Sequence, residues 1–481
     1  MNATSWRPGF HLSPAVGWAN DPNGLCQFNG RYHVFFQHTA DWPQSTLKDW
    51  QHYSSADLLH WEDHGVALAP SMHEDSCGAY SGCAWVERGG APDGGDLMRV
   101  YYTGNVTDHE AGDCIHVGRE ANQIMVTSTD GVSFGEKDVQ LTNADYPATC
   151  TQHVRDPKVW KQDGRLYMLL GARTQKDVGQ VLVMASDDGR SWRLHHQIDS
   201  VHPFGFMWEC PNVAQVDGHD FLAVCPQGLP SEAERWQNLW QAGYFPLDDS
   251  LLTTTEVDEH TFVEWDHGFD FYAPQIFVDD TGRTLLVGWM GVFQEDQTAV
   301  PDGLPWCHCL TVPRELTLGE DGLLRQTPAR ELEQLRHDEA PLTPGTDVLL
   351  PDLEADIALT NIAEGDVTLT LNDALRLTVA GGYLKVRFLD DAAGAGRSSR
   401  IVPLDGGKLD DLRVLVDGST VEVYANGGAT VFSTRWFPHG EKGLRVRASF
   451  AGATARAWQM YAPLHETYEP WDSPAPIRAC A

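Results

Sequence analysis

Three short segments in the first half of the chain set a carboxyl group beside a residue that breaks regular structure. They are Trp18-Ala19-Asn20-Asp21-Pro22-Asn23-Gly24, Arg155-Asp156-Pro157 and Met207-Trp208-Glu209-Cys210-Pro211-Asn212. The first cannot continue a strand or a helix and predicts a tight turn that holds Asp21 at a loop mouth. In the second, Arg155 keeps Asp156 ionised if the two side chains meet. In the third, bulky apolar neighbours raise the pKa of Glu209 if it is buried. Two ionised carboxylates and one poised acid form the asymmetry that glycoside hydrolysis uses. One group attacks or stabilises the anomeric centre while another donates a proton to the leaving oxygen. Each segment alone is ordinary turn chemistry; the three together are not.

Such groups need a scaffold, and the texture of the chain is β. Short runs rich in Val, Tyr, Phe and Trp recur, such as Arg31-Tyr32-His33-Val34-Phe35-Phe36-Gln37 and Thr284-Leu285-Leu286-Val287-Gly288-Trp289. Turn pairs precede them, including Asn29-Gly30 and Asp163-Gly164, the signature of hairpins. A Ser-x-Asp-x-x-x-aromatic pattern repeats at Ser55–Trp61, Ser128–Phe134 and Ser186–Trp192. It suits a turn closed by Ser and Asp side chains over a packed aromatic. The irregular spacing of roughly 60–70 residues fits four-stranded propeller blades with long loops. About five such units fill the first part of the chain, which predicts an all-β fold with a five-bladed β-propeller over residues 1–325. Residues 326–340 carry helix-start chemistry and an amphipathic face, predicting a helical linker. Residues 341–481 return to short alternating strands and predict a C-terminal β-sandwich.

Composition narrows the functional classes. The chain has 481 residues and a formal net charge of -34. That field repels nucleic acid and anionic lipid, and it argues against a strongly anionic substrate unless a local Arg or Lys pair overrides it. The N-terminus shows no apolar core behind a basic start, and no run of about 18 apolar residues follows, so a cytoplasmic, non-membrane protein is expected. Ten cysteines are scattered without a compact framework, and reduced thiols are expected. Cys307-His308-Cys309 is half of a metal-like motif, but no second ligand pair follows, and a strand would send His308 away from its neighbours. His11, His33, His38, His52 and His60 read as structural or loop-lining groups. Cys210 has no assignable His partner and reads as a packing residue beside Glu209.

The three acidic segments, taken in order, resemble glycoside hydrolase family 32, the β-fructofuranosidases. The resemblance extends to Ser81-Gly82, Asp270-Phe271-Tyr272-Ala273-Pro274-Gln275, Gly288-Trp289-Met290, Thr311-Val312-Pro313-Arg314-Glu315-Leu316 and Val416–Tyr424. It implies a retaining enzyme that releases terminal β-D-fructofuranosyl groups from sucrose and short fructo-oligosaccharides. Asp21 would be the nucleophile, Glu209 the acid/base and Asp156 a stabiliser of the transition state. Asn20, Gln37, Trp50, Ser81, Arg155, Tyr272 and Trp289 would surround the sugar. No cofactor and no metal is implied, and the expected partner is a small sugar substrate, with no nucleic acid and no membrane. Two departures from the family pattern stand out. Asn212 replaces a frequent Asp, which would remove a charge near Glu209, and Gln51 replaces a Gly, which would add bulk toward the leaving group. Sucrose 6-phosphate hydrolysis, fructosyl transfer, a non-catalytic sugar-binding propeller and a hydrolase of pentose polymers are the alternatives.

Overall fold

The computed structural model describes residues 6–42, 44–292, 304–363, 365–439 and 442–467. Cys480 and the last residues of the expected sandwich lie outside them. The described chain is all-β: its strands form seven sheets, and its helical turns are 3-10 segments of three to six residues. None of these is long and apolar enough to cross a membrane.

Five sheets come first. Each opens on an inner strand: Gly17–Phe28, Ala79–Glu87, Cys150–Gln162, Met207–Val216 and Tyr272–Val278. Each inner strand touches the next, and Tyr272–Val278 touches Gly17–Phe28. The short strand Trp306–Cys307 pairs in parallel with Gly17 and Trp18, tying a late segment onto the first sheet.

All five inner strands break register at a corresponding place. The breaks fall between Ala19 and Pro22, Ala79 and Gly82, Arg155 and Lys158, Glu209 and Asn212, and Tyr272 and Gln275. Pro157, Pro211 and Pro274 occupy three of them, and Pro22 bounds the first. Proline has no N–H for the ladder, and a bulge is where a strand tolerates it. Gly82 stands in the fifth, where a Cβ would lie 2.0 Å from the Tyr101 carbonyl oxygen. The Asn20–Gly24 segment is therefore not the tight turn expected from its composition. It runs inside one 12-residue strand, whose bulges absorb Pro22 and the left-handed Gly24 at φ +57°.

The repeated Ser-x-Asp turns close as their chemistry predicts. The Ser55, Ser128 and Ser186 hydroxyls donate to Asp57, Asp130 and Asp188 at 3.0, 2.9 and 2.9 Å. Each Asp then accepts two backbone N–H groups beyond it.

The segment expected as a helical linker is mostly strand. Leu324–Pro328 is the outer strand of the fifth sheet, and Arg336–Pro341 pairs with Thr454–Met460. Only Arg330–Leu335 between them is helical, a six-residue 3-10 turn that buries Leu332 and Leu335. Two apolar anchors three residues apart suit one tight turn and give no face for a longer helix. Beyond it, two six-stranded sheets enclose an aliphatic core that includes Ile357, Leu369, Val414 and Val446.

The five-sheet unit and this second unit meet through fully buried charges. Arg314 donates to Glu422 at 2.7 Å, Ser433 at 2.6 Å and Asp266 at 3.2 Å. The His11 ring nitrogens contact Asp417 at 2.7 Å and Glu422 at 2.9 Å. Burial opposes charge on His11, but hydrogen bonds to Asp417 and Glu422 outweigh it and raise the pKa from 6.5 to about 9. A folded-state pKa above the unfolded one stabilises fully below pH 6.5 and is lost as pH rises through about 9. The melting temperature is thus expected to fall across pH 6.5–9, and His11→Gln to be less stable at pH 6 and to lose that slope. Thermal unfolding at a series of pH values checks this; an unchanged slope in the variant would locate the titration elsewhere.

Candidate active site

The bulges decide which side chains meet. Successive residues of a regular strand point to opposite faces. At a bulge, neighbours can share one face, and here Asn20 with Asp21 and Arg155 with Asp156 line one cavity of about 310 Å³. Glu209, Gln37, Tyr272 and Trp289 line it as well. Asp156, Cys210 and Ala273, the second residues of their bulges, take φ of +63°, +46° and +48°. This uncommon backbone state recurs where side chains are re-aimed.

Asp21 sits in a closed set of amides and a hydroxyl. The Asn20 Nδ2 donates to Gln37 Oε1 at 2.8 Å and to Asp21 Oδ1 at 3.2 Å. Gln37 Nε2 donates to Ser81 Oγ at 2.6 Å, and Ser81 Oγ donates to Asp21 Oδ2 at 2.5 Å. Burial raises the Asp21 pKa; the Ser81 hydrogen bond opposes this, the Glu209 charge adds to it, and Asn20 and Lys48 pull it down.

Glu209 is gripped on both oxygens. Arg155 donates through Nε at 3.1 Å and Nη2 at 2.6 Å to Oε1. Gln227 at 2.6 Å and the Tyr272 hydroxyl at 2.7 Å donate to Oε2. Two expectations change here. Arg155 pairs with Glu209, and its Nε stands 3.9 Å from Asp156. The Asp156 pKa accordingly rises to about 7, because burial exceeds the opposing pull of Arg155 and the Glu209 charge pushes the same way. Glu209, in turn, is not in an apolar pocket. The neighbouring Met207 and Trp208 are buried at 1% and 0% exposure, and Trp208 donates to the Phe204 carbonyl behind the strand.

Cys210 joins the acids from beneath. Its thiol lies 3.7 Å from both Asp21 Oδ2 and Asp156 Oδ2, and its backbone N–H donates to Asp156 Oδ2 at 3.0 Å. A contact with Cys225 and burial raise its thiol pKa well above 9, which makes it a packing and hydrogen-bonding group and not a nucleophile.

The remaining expected residues divide into lining and support. Ser81 is fully buried and reaches the site only through Asp21 and Gln37. Trp50 does not line the cavity. It is fully buried, packs beside Phe35 and Tyr102, and donates from its indole to the Tyr80 carbonyl at 3.0 Å. Gln51 lies on the opposite side of the same strand and donates to Asp63 at 2.6 Å, so it adds no bulk to the site. Asn212 sits past its bulge, bonded to the Pro274 carbonyl and the Ile276 N–H, and does not reach the Glu209 carboxyl.

Six lining residues were not expected: Lys48, Tyr80, Arg119, His153, Gln227 and Trp240. Tyr80 and His153 lie one and two residues from expected ones, and their sequence neighbourhood was the available signal. His308 does not line this cavity but supports a residue that does. Its Nδ1 accepts the indole N–H groups of Trp18 and Trp289, each at 3.0 Å, and so fixes Trp289 in the cavity wall. His308, at φ +67°, lies between the two short strands Trp306–Cys307 and Cys309–Leu310.

Residues 11–328 match the glycosyl hydrolases family 32 N-terminal domain, and residues 385–460 match the family's C-terminal domain. The chain belongs to glycosyl hydrolase family 32. It is 38% identical over 472 residues to a sucrose-6-phosphate hydrolase of Klebsiella pneumoniae, covering 95% of this chain and 93% of that protein. It is 35% identical to a raffinose invertase of Escherichia coli, covering 91% and 90%. Its backbone matches the structure of sucrose-6-phosphate hydrolase from Lactobacillus gasseri with a TM-score of 0.85 at 27% identity, over 96% and 94% of the two chains. A Bombyx mori family 32 beta-fructofuranosidase matches at 0.79 and 27%, over 95% of each chain.

For this family 32 glycosidase, the Ser81 hydrogen bond is the main counterweight to burial at Asp21. Ser81→Ala is expected to raise the Asp21 pKa and shift the acid limb of kcat/KM upward by about one pH unit, the scale of one hydrogen bond to a charge. A pH–rate profile checks this; an unmoved limb would show that Asp21 does not depend on Ser81.

Proposed function

We propose that the chain is a retaining β-fructofuranosidase that releases terminal β-D-fructofuranosyl groups from sucrose and short fructo-oligosaccharides. The observation that carries the reading is the meeting of Asp21, Asp156 and Glu209 in one cavity with donors already aimed at them. Asp21 attacks the anomeric carbon of the fructosyl group and forms an ester as the bond to the leaving oxygen breaks. Glu209 gives that oxygen its proton, and the Arg155 guanidinium stabilises the carboxylate left behind. Water then attacks the same carbon, Glu209 takes its proton, and Asp21 is released. Asp156 holds sugar hydroxyls and faces the positive charge that develops on the ring. The Asn20 Oδ1 is buried without a protein partner among the described residues, which suits acceptance of a sugar hydroxyl.

The five N-terminal sheets, whose inner strands touch in sequence and return to the first, are read as the blades of a five-bladed propeller around the acids. Residues 1–325 form the catalytic unit in this reading and residues 341–481 the sandwich, with the blade strand reaching Pro328. A cytoplasmic location is supported by the free state of all nine described cysteines. Sucrose 6-phosphate is a second reading of the substrate, supported by the names of the Klebsiella pneumoniae and Lactobacillus gasseri relatives.

Purified protein is expected to release equimolar glucose and fructose from sucrose. Asp21→Asn is expected to lose at least about 10³-fold in kcat, because it removes the attacking group. Coupled assays of both sugars check this. Undiminished release by Asp21→Asn would sink the covalent mechanism.

A further inference from the structure

A second cavity, of about 570 Å³, adjoins the catalytic one and shares Lys48, Tyr80 and Arg119 with it. None of the described residues lining it is Asp or Glu. That is unusual in a chain with 68 acidic and 34 basic residues. Its other polar lining consists of hydroxyls, amides and imidazoles, among them Ser76, Asn105 and Thr107.

Its two cations have no carboxylate in contact. Lys48 is 6% exposed; its Nζ donates to Thr39 Oγ1 at 3.1 Å and lies 3.4 Å from the centre of the Trp18 ring. Asp21 and Asp49 act on it only through space, and burial brings its pKa down to about 7. The Arg119 guanidinium is held by neutral acceptors, Asn105 Oδ1 at 2.6 Å and the Cys114 carbonyl at 3.3 Å. Most guanidinium groups of this chain take a carboxylate, as Arg88, Arg99, Arg283 and Arg314 do. A lysine and an arginine whose described contacts are neutral, on a wall whose described residues include no acid, offer donors suited to an anion.

Taking the fructosidase reading as given, we propose that Lys48 and Arg119 form a subsite for a phosphate monoester carried by the leaving sugar. The fructosyl group occupies the cavity of the three acids. A phosphate on the departing hexose then extends past Tyr80 into the second cavity, between the ammonium and the guanidinium. Arg119 supplies paired N–H donors, and Lys48 gains the counter-ion that its burial lacks. A neutral leaving sugar makes neither contact, so the pair sets the preference between the two sugars, while the Lys48 charge acts on Asp21 with either substrate.

The test compares kcat/KM for sucrose 6-phosphate and for sucrose in wild type, Arg119→Gln and Lys48→Gln. The wild-type ratio is expected to favour the phosphorylated sugar by about tenfold or more, and each variant to lower that ratio by about tenfold. A merely structural role would lower both substrates alike and leave the ratio unchanged. An equal wild-type preference, or an unchanged ratio in both variants, overturns the subsite. Calorimetric titration of Asp21→Asn with glucose 6-phosphate, glucose and inorganic phosphate reads the subsite without turnover. Glucose 6-phosphate is expected to bind tightest, whereas inorganic phosphate binding equally well would overturn its assignment to the leaving sugar. Failure of wild type to release fructose from either sugar would overturn the fructosidase reading instead, while the titration still decides the subsite.

Discussion

The site depends on a register break made five times. A regular inner strand would send Asp21 to one face and Asn20 to the other, and would separate Arg155 from Asp156 in the same way. The bulges turn such neighbours toward one cavity. They also explain the prolines: an N–H absent from the ladder costs nothing where the ladder is already open. The residues past the breaks, Asn23, Lys158 and Asn212, then bond from strand to strand. Asn23 accepts the Gly82 N–H at 3.1 Å, Lys158 donates to the Ile276 carbonyl, and Asn212 accepts the Ile276 N–H at 3.2 Å. The level that exposes the acids is thus fastened directly beneath them, and positions of side chains on different sheets are fixed relative to one another.

Electrostatics then differentiates three acids that share one small volume. Burial raises the pKa of Asp21 and of Asp156, and the Glu209 charge adds to it in both. The protein places its strongest cation on Glu209 and gives Asp21 a hydroxyl and an amide, while Asp156 receives the Cys210 N–H. These are unequal environments, and unequal environments let chemically similar groups hold different protonation states at one pH.

Much of this was legible in the sequence. The acid-bearing segments pointed to Asp21, Asp156 and Glu209 because their Pro and Gly neighbours are rare inside strands, and hairpin pairs such as Asn29-Gly30 gave the β class. The Arg155 partner was not legible, because adjacency along a chain does not give adjacency of side chains at a bulge. Nor was the burial of Trp50, whose indole faces the layer behind Tyr80. The short 3-10 turn was overestimated because Leu332 and Leu335 carry the same spacing as the start of an α-helix. Lys48, Arg119 and Gln227 come from three different sheets or loops, and no local pattern could bring them together.

Net charge bears on the site only as far as its field reaches. A charge of -34 argues against an anionic substrate only if the whole field reaches the site. At physiological ionic strength, exposed charges are screened beyond about 8 Å, whereas buried groups are screened far less. Exposed acids such as Asp57, Asp188 and Asp347 sit in turns and surface pairs. The described lining of the second cavity carries Lys48 and Arg119 and no Asp or Glu, although Asp21 and Asp49 act on Lys48 through space. The acidic surface still governs solubility and the approach of charged solutes, and the local pair governs what can stay once it arrives. The same separation of scales operates between the two units, where Arg314 and His11 hold Glu422 away from solvent and its ion pairing is set by contacts of about 3 Å, not by the sum of the surface.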